Sequence, residues 1–218
     1  VVGEGDPIAP LPAGTTFAEA AAVPDGFVLG GNCLRLTGLH EGQRIVVYGA
    51  SGSIGTAAVQ LAKDAGAHVT AVCNTAQRRR RPLARARRGR RLPARDFTTR
   101  DETWDVVVDA VGKLPYRRAR RALAPTGRFV STDGGHLWQN PFLALTRFSP
   151  GRRMLFPFPA YTQDKIRLAK DLVEACRYRA VVDRTYPLGH VVEATRYVET
   201  GQKLGNVVLD VFRRAEAG

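Results

Sequence analysis

The segment Tyr48-Gly49-Ala50-Ser51-Gly52-Ser53-Ile54-Gly55 combines residue types and spacing that can hold an anion. A glycine recurs at every third position, between a short apolar run, Arg44–Tyr48 (RIVVY), and a helical pattern over Ile54–Ala65. Glycine tolerates a tight turn and lets backbone N–H groups come close to a ligand. The first N–H groups of a helix have no intrahelical acceptor, so a turn that opens a helix can cradle a phosphate or pyrophosphate. The spacing is G-x-x-G-x-x-G rather than G-x-G-x-x-G. The strand–turn–helix setting, not the bare pattern, therefore carries the dinucleotide reading. A glycine turn without a ligand is the alternative.

The next strand, His68–Cys73 (HVTAVC), bears on which dinucleotide. An NAD site usually has Asp or Glu about 20 residues after the glycines, to hold the ribose 2′-OH. Here the strand runs into Asn74-Thr75-Ala76-Gln77-Arg78, with no carboxylate and a cation at its end. An acid would repel a 2′-phosphate; Asn, Thr and Arg would accept one. NADP is expected as cofactor in preference to NAD, although Asn74 and Thr75 could simply form a turn.

Other chemistries find less support. The four histidines, His40, His68, His136 and His190, have no H-x-x-H or i, i+4 spacing, and none pairs with a cysteine at ligand distance in sequence. No metal site and no zinc are expected. Cys33, Cys73 and Cys176 are odd in number and far apart, which gives no disulfide framework and suggests a reducing compartment. Asp105 and Asp109 read as strand-end residues rather than an acid–base pair. No apolar run is long enough for a bilayer and no signal peptide opens the chain, so a cytoplasmic protein is expected. The chain starts at Val1 as if in mid-strand, and a fragment is expected.

The elements that position the glycine turn follow from periodicity. Thr16 with Glu19 reads as a capping box opening a helix over Phe17–Ala22. A second helix covers about Phe27–Thr37, weakened by Gly30 and Gly31. Asp105–Asp109 (DVVVD) and Arg128–Thr132 (RFVST) read as strands and Tyr116–Leu123 as a helix between them. Residues 136–160 lack periodicity and read as an irregular insertion or subunit contact. Helices over Gln163–Arg177 and Leu188–Thr200 and a strand at Asn206–Phe212 complete the chain. Alternating strands and helices predict an α/β fold with a doubly wound parallel sheet and helices on both faces.

The 218 residues carry 33 Lys+Arg and 20 Asp+Glu, a formal net charge of +13. Ten arginines and no acid lie between Arg78 and Arg95, so that segment carries ten of the thirteen charges. It lacks interleaved aromatics and any RNA-binding module, so a nucleic-acid partner is not expected. A polyanion-binding protein using Arg78–Arg95 remains the alternative function, and salt-sensitive binding would be its signature.

Several blocks of the sequence carry a family likeness: EAAAVPDG (19–26), VYGASGSIGTAAVQLAKDAGAHVTAVCNTA (47–76), WDVVVDAVGK (104–113), GRFVSTDGG (127–135) and YPLGHVVEATRYVETGQKLGNVVLDV (186–211). In this order they resemble the medium-chain dehydrogenase/reductases, above all the zinc-independent, quinone-oxidoreductase-like branch. The resemblance implies a Rossmann domain over 16–185. Residues 1–15 would end a GroES-like catalytic domain, to which 186–218 would return. It also implies hydride transfer between NADP(H) and a quinone, enone or carbonyl. Gly49, Ser51, Gly52, Ser53 and Ile54 would lie along the pyrophosphate. Asn74, Thr75 and Arg78 would surround the adenosine ribose. Ala110, Val111 and Gly112 would cross the cofactor. Ser131, Thr132, Asp133 and Asn206 would approach the nicotinamide. No residue of this chain is assigned as catalytic, and a cofactor-binding fragment without turnover is a further alternative. The implied partners are a small-molecule substrate and a second copy in a homodimer.

The likeness is loose over 136–160 and breaks at 77–95, where relatives carry a segment like ELVRSLGADEVIDY. Ala86–Leu92 can be encoded GCT CGG CGC GGA CGA CGT CTA, which read one base later gives Leu-Gly-Ala-Asp-Asp-Val. Our hypothesis is that residues 78–94 are a double frameshift. Resequencing the coding DNA tests it, and an error-free arginine run with no shifted frame would overturn it.

Overall fold

The computed structural model describes residues 6–73, 89–93, 97–99, 101–133, 145–146 and 150–212. Six strands form one sheet: β1 (Arg44–Tyr48), β2 (His68–Cys73), β3 (Gly89–Pro93), β4 (Trp104–Asp109), β5 (Leu123–Ser131) and β6 (Arg153–Leu155). Every pairing is parallel and the order is β3-β2-β1-β4-β5-β6. This is the doubly wound Rossmann order, in which the chain reverses direction across the sheet between β1 and β4.

The apolar runs form strands because both faces of the sheet are covered. Ile45, Val46 and Val47 are all fully buried. Successive side chains alternate between two clusters, as the two-residue period of a strand requires. Ile45, Val47, Val106 and Val108 pack in one cluster, with Ala58 and Ala62 of helix α3. Val46 and Val107 face the other, with Phe97, Trp104, Tyr116 and Phe129.

Among the described residues, five helices accompany α3 (Ser53–Asp64): α1 (Phe17–Ala21), α2 (Pro24–Thr37), α4 (Tyr116–Ala119), α5 (Gln163–Glu174) and α6 (Val191–Glu199). The capping box of α1 forms as expected: Thr16 Oγ1 accepts from the Glu19 N–H and Glu19 accepts from the Thr16 N–H. Helix α2 starts at Pro24, three residues before the expected start, because proline is preorganised for the first helical position. Gly30 is a packing device rather than a weakness. A Cβ there would lie 3.0 Å from the Ala58 N and 3.2 Å from the Ala57 Cβ, so its absence lets α2 and α3 touch. Helix α5 adds Ala169 and Leu172 to a third cluster, with Phe27 stacked edge-on against Tyr178 at 5.2 Å.

Two expectations need correction. The helix expected over Tyr116–Leu123 ends at Ala119, tightens into a 3₁₀ turn at Arg120–Ala122, and gives way to β5 at Leu123. Pro125 biases Ala124 towards extended backbone, and Leu123 is fully buried opposite Trp104. The segment read as irregular, 136–160, contains β6, whose Met154 is fully buried beside β5. Within the arginine-rich segment, Gly89–Pro93 pairs with β2 as the edge strand that the fold needs there.

The last part of the chain forms a separate two-stranded parallel sheet. Strand β7 (Val182–Pro187) pairs with β8 (Asn206–Asp210), and α6 connects them. Among the described residues no helix is long and apolar enough to cross a membrane.

Candidate functional site

The glycine turn leaves the carboxyl end of β1 at the point where the sheet reverses, the crevice in which open α/β sheets bind ligands. Gly49 adopts φ +79°, the left-handed region that favours glycine. Its N–H and that of Ala50 both donate to the Val72 carbonyl at the end of β2, at 3.0 and 3.1 Å. Gly52 caps α3 with extended backbone and no side-chain cap, and the first intrahelical bond runs from Thr56 N–H to Gly52 O at 2.8 Å. The N–H groups of Ser53, Ile54 and Gly55 therefore open the helix without intrahelical acceptors.

One side of this turn is open to an anion. The flank of Gly52 is open, since a Cβ there would meet nothing nearer than the Gly49 carbonyl oxygen at 3.7 Å. Ser53 Oγ is buried yet has no hydrogen-bond partner among the described residues. That hydroxyl faces α2, 2.7 Å from where a Cβ on Gly26 would stand, so it packs between α2 and α3 rather than into the open side of the turn. Gly55 closes the turn on its other side. A Cβ there would overlap the Gly49 carbonyl oxygen and lie 2.8 Å from the Ala50 Cα.

A second loop, 110–114, crosses over the turn and is held by one carboxylate. Asp109 is fully buried at the end of β4. Its Oδ2 accepts from the Leu114 N–H at 2.8 Å and its Oδ1 from the Val111 N–H at 3.1 Å. Burial pushes this carboxyl above the usual carboxylate range, opposed by backbone N–H groups of Leu114, Val111, Lys113 and Gly112. The loop brings Val111 against Gly49, where a Cβ would meet Val111 Cγ1 at 2.6 Å. Gly112, at φ +67°, lies against Asp133, whose Cβ a side chain at Gly112 would overlap.

The end of β5 joins the same cluster. The Thr132 N–H donates to the Asp109 carbonyl at 3.0 Å, and Ser131 Oγ donates to the Asp133 carbonyl at 3.1 Å. The tertiary structure thus gathers Gly49, Ser51, Gly52, Ser53, Ile54, Ala110, Val111, Gly112, Ser131, Thr132 and Asp133 at one end of the sheet. Asn206 is differently employed. Its side-chain amide donates to the Ala22 and Val181 carbonyls, both at 3.2 Å. Its neighbour Gly205 reaches the turn instead, donating its N–H to the Ser51 carbonyl at 2.7 Å. Asn74, Thr75 and Arg78 lie outside the described residues.

Sequence reasoning missed Gly205 and read Asp109 only as a strand end. The signal for Asp109 is an acid closing a fully apolar run, which places its carboxylate in the interior beside a turn. Asp105 serves another purpose, accepting from the Arg44 N–H at 2.8 Å at the opposite end of the sheet.

Among the described residues no three His, Cys, Asp or Glu side chains converge as metal ligands. Burial pushes the Cys33 thiol up to about 12, which disfavours the thiolate that metal binding requires.

Comparison with known proteins gives a consistent picture. The family model described as zinc-binding dehydrogenase matches residues 91–209. A highly reducing polyketide synthase of Emericella nidulans is 28% identical over 227 residues, covering 92% of this chain and 9% of that protein. A mitochondrial NAD(P)H oxidoreductase of Mus musculus is 29% identical over 248 residues, covering 97% of this chain and 60% of that one. The chain therefore spans only part of these relatives. Among solved structures, the quinone oxidoreductase from Coxiella burnetii superposes with a TM-score of 0.77 at 21% identity, covering 90% of this chain and 62% of that one. The CurK enoyl reductase does so at 0.74 and 22%, covering 92% and 64%. The strand order, the glycine turn and a family match over more than half of its length make this chain a member of the medium-chain dehydrogenase/reductase superfamily, in its zinc-binding dehydrogenase family.

Proposed function

We propose that the chain is the nucleotide-binding part of an NADP-dependent oxidoreductase that reduces a quinone, enone or carbonyl. The observation that carries this reading is the 49–55 turn, with its open glycine flank and the N–H groups of Ser53, Ile54 and Gly55 opening α3 without intrahelical acceptors. The relatives support it, being an NAD(P)H oxidoreductase and reducing polyketide synthases.

The nicotinamide cofactor, when bound, supplies the hydride; the protein supplies binding, orientation and exclusion of water. The N–H groups of Ser53, Ile54 and Gly55 would meet the pyrophosphate at the positive end of α3. Val111 and Gly112 would cover the cofactor, held down by Asp109. Ser131, Thr132 and Asp133 would border the nicotinamide. The preference for NADP rests on the sequence Asn74-Thr75-Ala76-Gln77-Arg78, which offers no carboxylate to repel a 2′-phosphate.

Fluorescence titration with NADPH and NADH tests the proposal. Saturable binding is expected, with NADPH about tenfold tighter because one extra charged phosphate is paired. Absence of saturable binding by either nucleotide would overturn the reading, and equal affinities would overturn the NADP preference. Oxidation of NADPH by a quinone or enone substrate then separates a turnover-competent protein from one that only binds the cofactor.

A further inference from the structure

We infer that Gly205 is a positioning residue for the phosphate turn, and that the separate C-terminal sheet thereby controls nucleotide affinity. The inference rests on the nucleotide reading above and assigns a role to a segment that this reading does not use.

The phosphate turn is built from one continuous stretch of chain, β1 to α3, yet a second stretch grips it. The Gly205 N–H donates to the Ser51 carbonyl at 2.7 Å, and Gly205 forms a parallel bridge with Gly52. In a trans peptide the C=O and the following N–H point opposite ways. Holding the Ser51 oxygen towards residue 205 fixes the Ser51–Gly52 peptide plane, and the Gly52 N–H then donates to the Gly49 carbonyl at 3.1 Å. The same bond keeps the negative end of the Ser51 carbonyl engaged beside the start of α3, where a phosphate would sit. The grip therefore presets the turn for an anion.

The gripping segment is itself anchored. The Leu204 N–H donates to Asp183 Oδ2 at 3.1 Å, and Tyr197 donates its hydroxyl to the same oxygen at 2.5 Å. The Asn206 N–H donates to the Val181 carbonyl at 2.7 Å, and Lys203 Nζ donates to the Gly205 carbonyl at 2.6 Å. Leu204 is 3% exposed. β7, β8 and α6 thus hold residues 203–206 against the turn.

Only glycine fits at 205. Its φ is +73°, a Cβ there would overlap the Val181 carbonyl oxygen, and the Val181 side chain would lie 2.6 Å away. Neither neighbour can yield without moving β7 or the segment itself.

The test combines nucleotide titration with hydrogen exchange in the full chain. Gly205→Ala is expected to weaken NADPH binding about tenfold, through loss of the hydrogen bond that presets the turn. Amide exchange over 49–55 is expected to rise, while peptides from β1 and β4 keep their protection. A general loss of stability would instead raise exchange throughout the sheet. Should Gly205→Ala fail to fold, Asp183→Ala releases the anchor at Leu204 more gently and is expected to act in the same direction with a smaller change. A foldable variant with unchanged NADPH affinity and unchanged exchange over 49–55 overturns the positioning role alone. A wild-type chain that binds no NADPH overturns the nucleotide reading and this inference with it.

Discussion

Asp109→Ala is expected to lower the free energy of unfolding by about 3–5 kcal/mol, read as a fall in the urea midpoint. The substitution removes the acceptor of the Val111 and Leu114 N–H groups and leaves their loop without its anchor. Each buried donor left unsatisfied costs about 1–3 kcal/mol, and the loss is large against a typical total of about 5–15 kcal/mol. NADPH binding should fall with it, because Val111 is the residue that the loop lays against Gly49. A change below about 1 kcal/mol would show that the loop holds itself without the carboxylate. Asp109→Asn keeps one acceptor oxygen and should lie between the two.

Asp109 also sets a pH dependence. Burial raises its carboxyl in the folded state, so between the unfolded and folded values the native protein binds the extra proton. Its contribution is therefore fully present below the unfolded value of about 4 and is lost as pH rises through the raised folded value. Asp109→Asn cannot titrate, so the wild type should lose stability relative to it across that window. A constant difference between pH 4 and pH 7 would contradict the assignment.

Gly55→Ala is expected to weaken NADPH binding by about 30-fold or more while the sheet survives. The added methyl would overlap the Gly49 carbonyl oxygen and sit 2.8 Å from both the Gly49 carbonyl carbon and the Ala50 Cα. All three are backbone atoms of the turn itself, so no side chain can swing away. Overpacking of this kind costs about 1–3 kcal/mol, and every 1.4 kcal/mol that falls on binding is about tenfold in affinity. Circular dichroism and the urea midpoint report the fold, and titration reports the turn. Unchanged affinity in a folded Gly55→Ala would mean that the turn does not hold the nucleotide. This separates it from Asp109→Ala, in which stability is the larger loss.

Much of the architecture is written locally. Arg44–Tyr48 and His68–Cys73 are strands to the residue, because a strand buried on both faces must be a continuous apolar run. Thr16 and Glu19 announce α1, because a capping box involves only neighbours in sequence. The glycine turn is equally local, since strand, turn and helix start follow one another along the chain.

The features decided at longer range are those whose partners lie elsewhere in the sequence. Arg153–Leu155 is too short to show a period and becomes a strand only through its pairing with β5. Gly89–Pro93 carries a sequence that disfavours a strand, yet it completes the edge beside β2. Gly30 weakens an isolated helix and is explained only by the approach of α3. Asp109 looks like any strand-end acid until the loop after it turns back to bond its carboxylate. Gly205 has no local signature, because its role is a backbone hydrogen bond to a turn formed early in the chain. The sequence alone determined the glycine turn and the strand and helix that flank it, because all three follow one another along the chain. Tertiary structure decided what holds that turn in place, because backbone bonds between distant segments leave no mark in residue type or spacing.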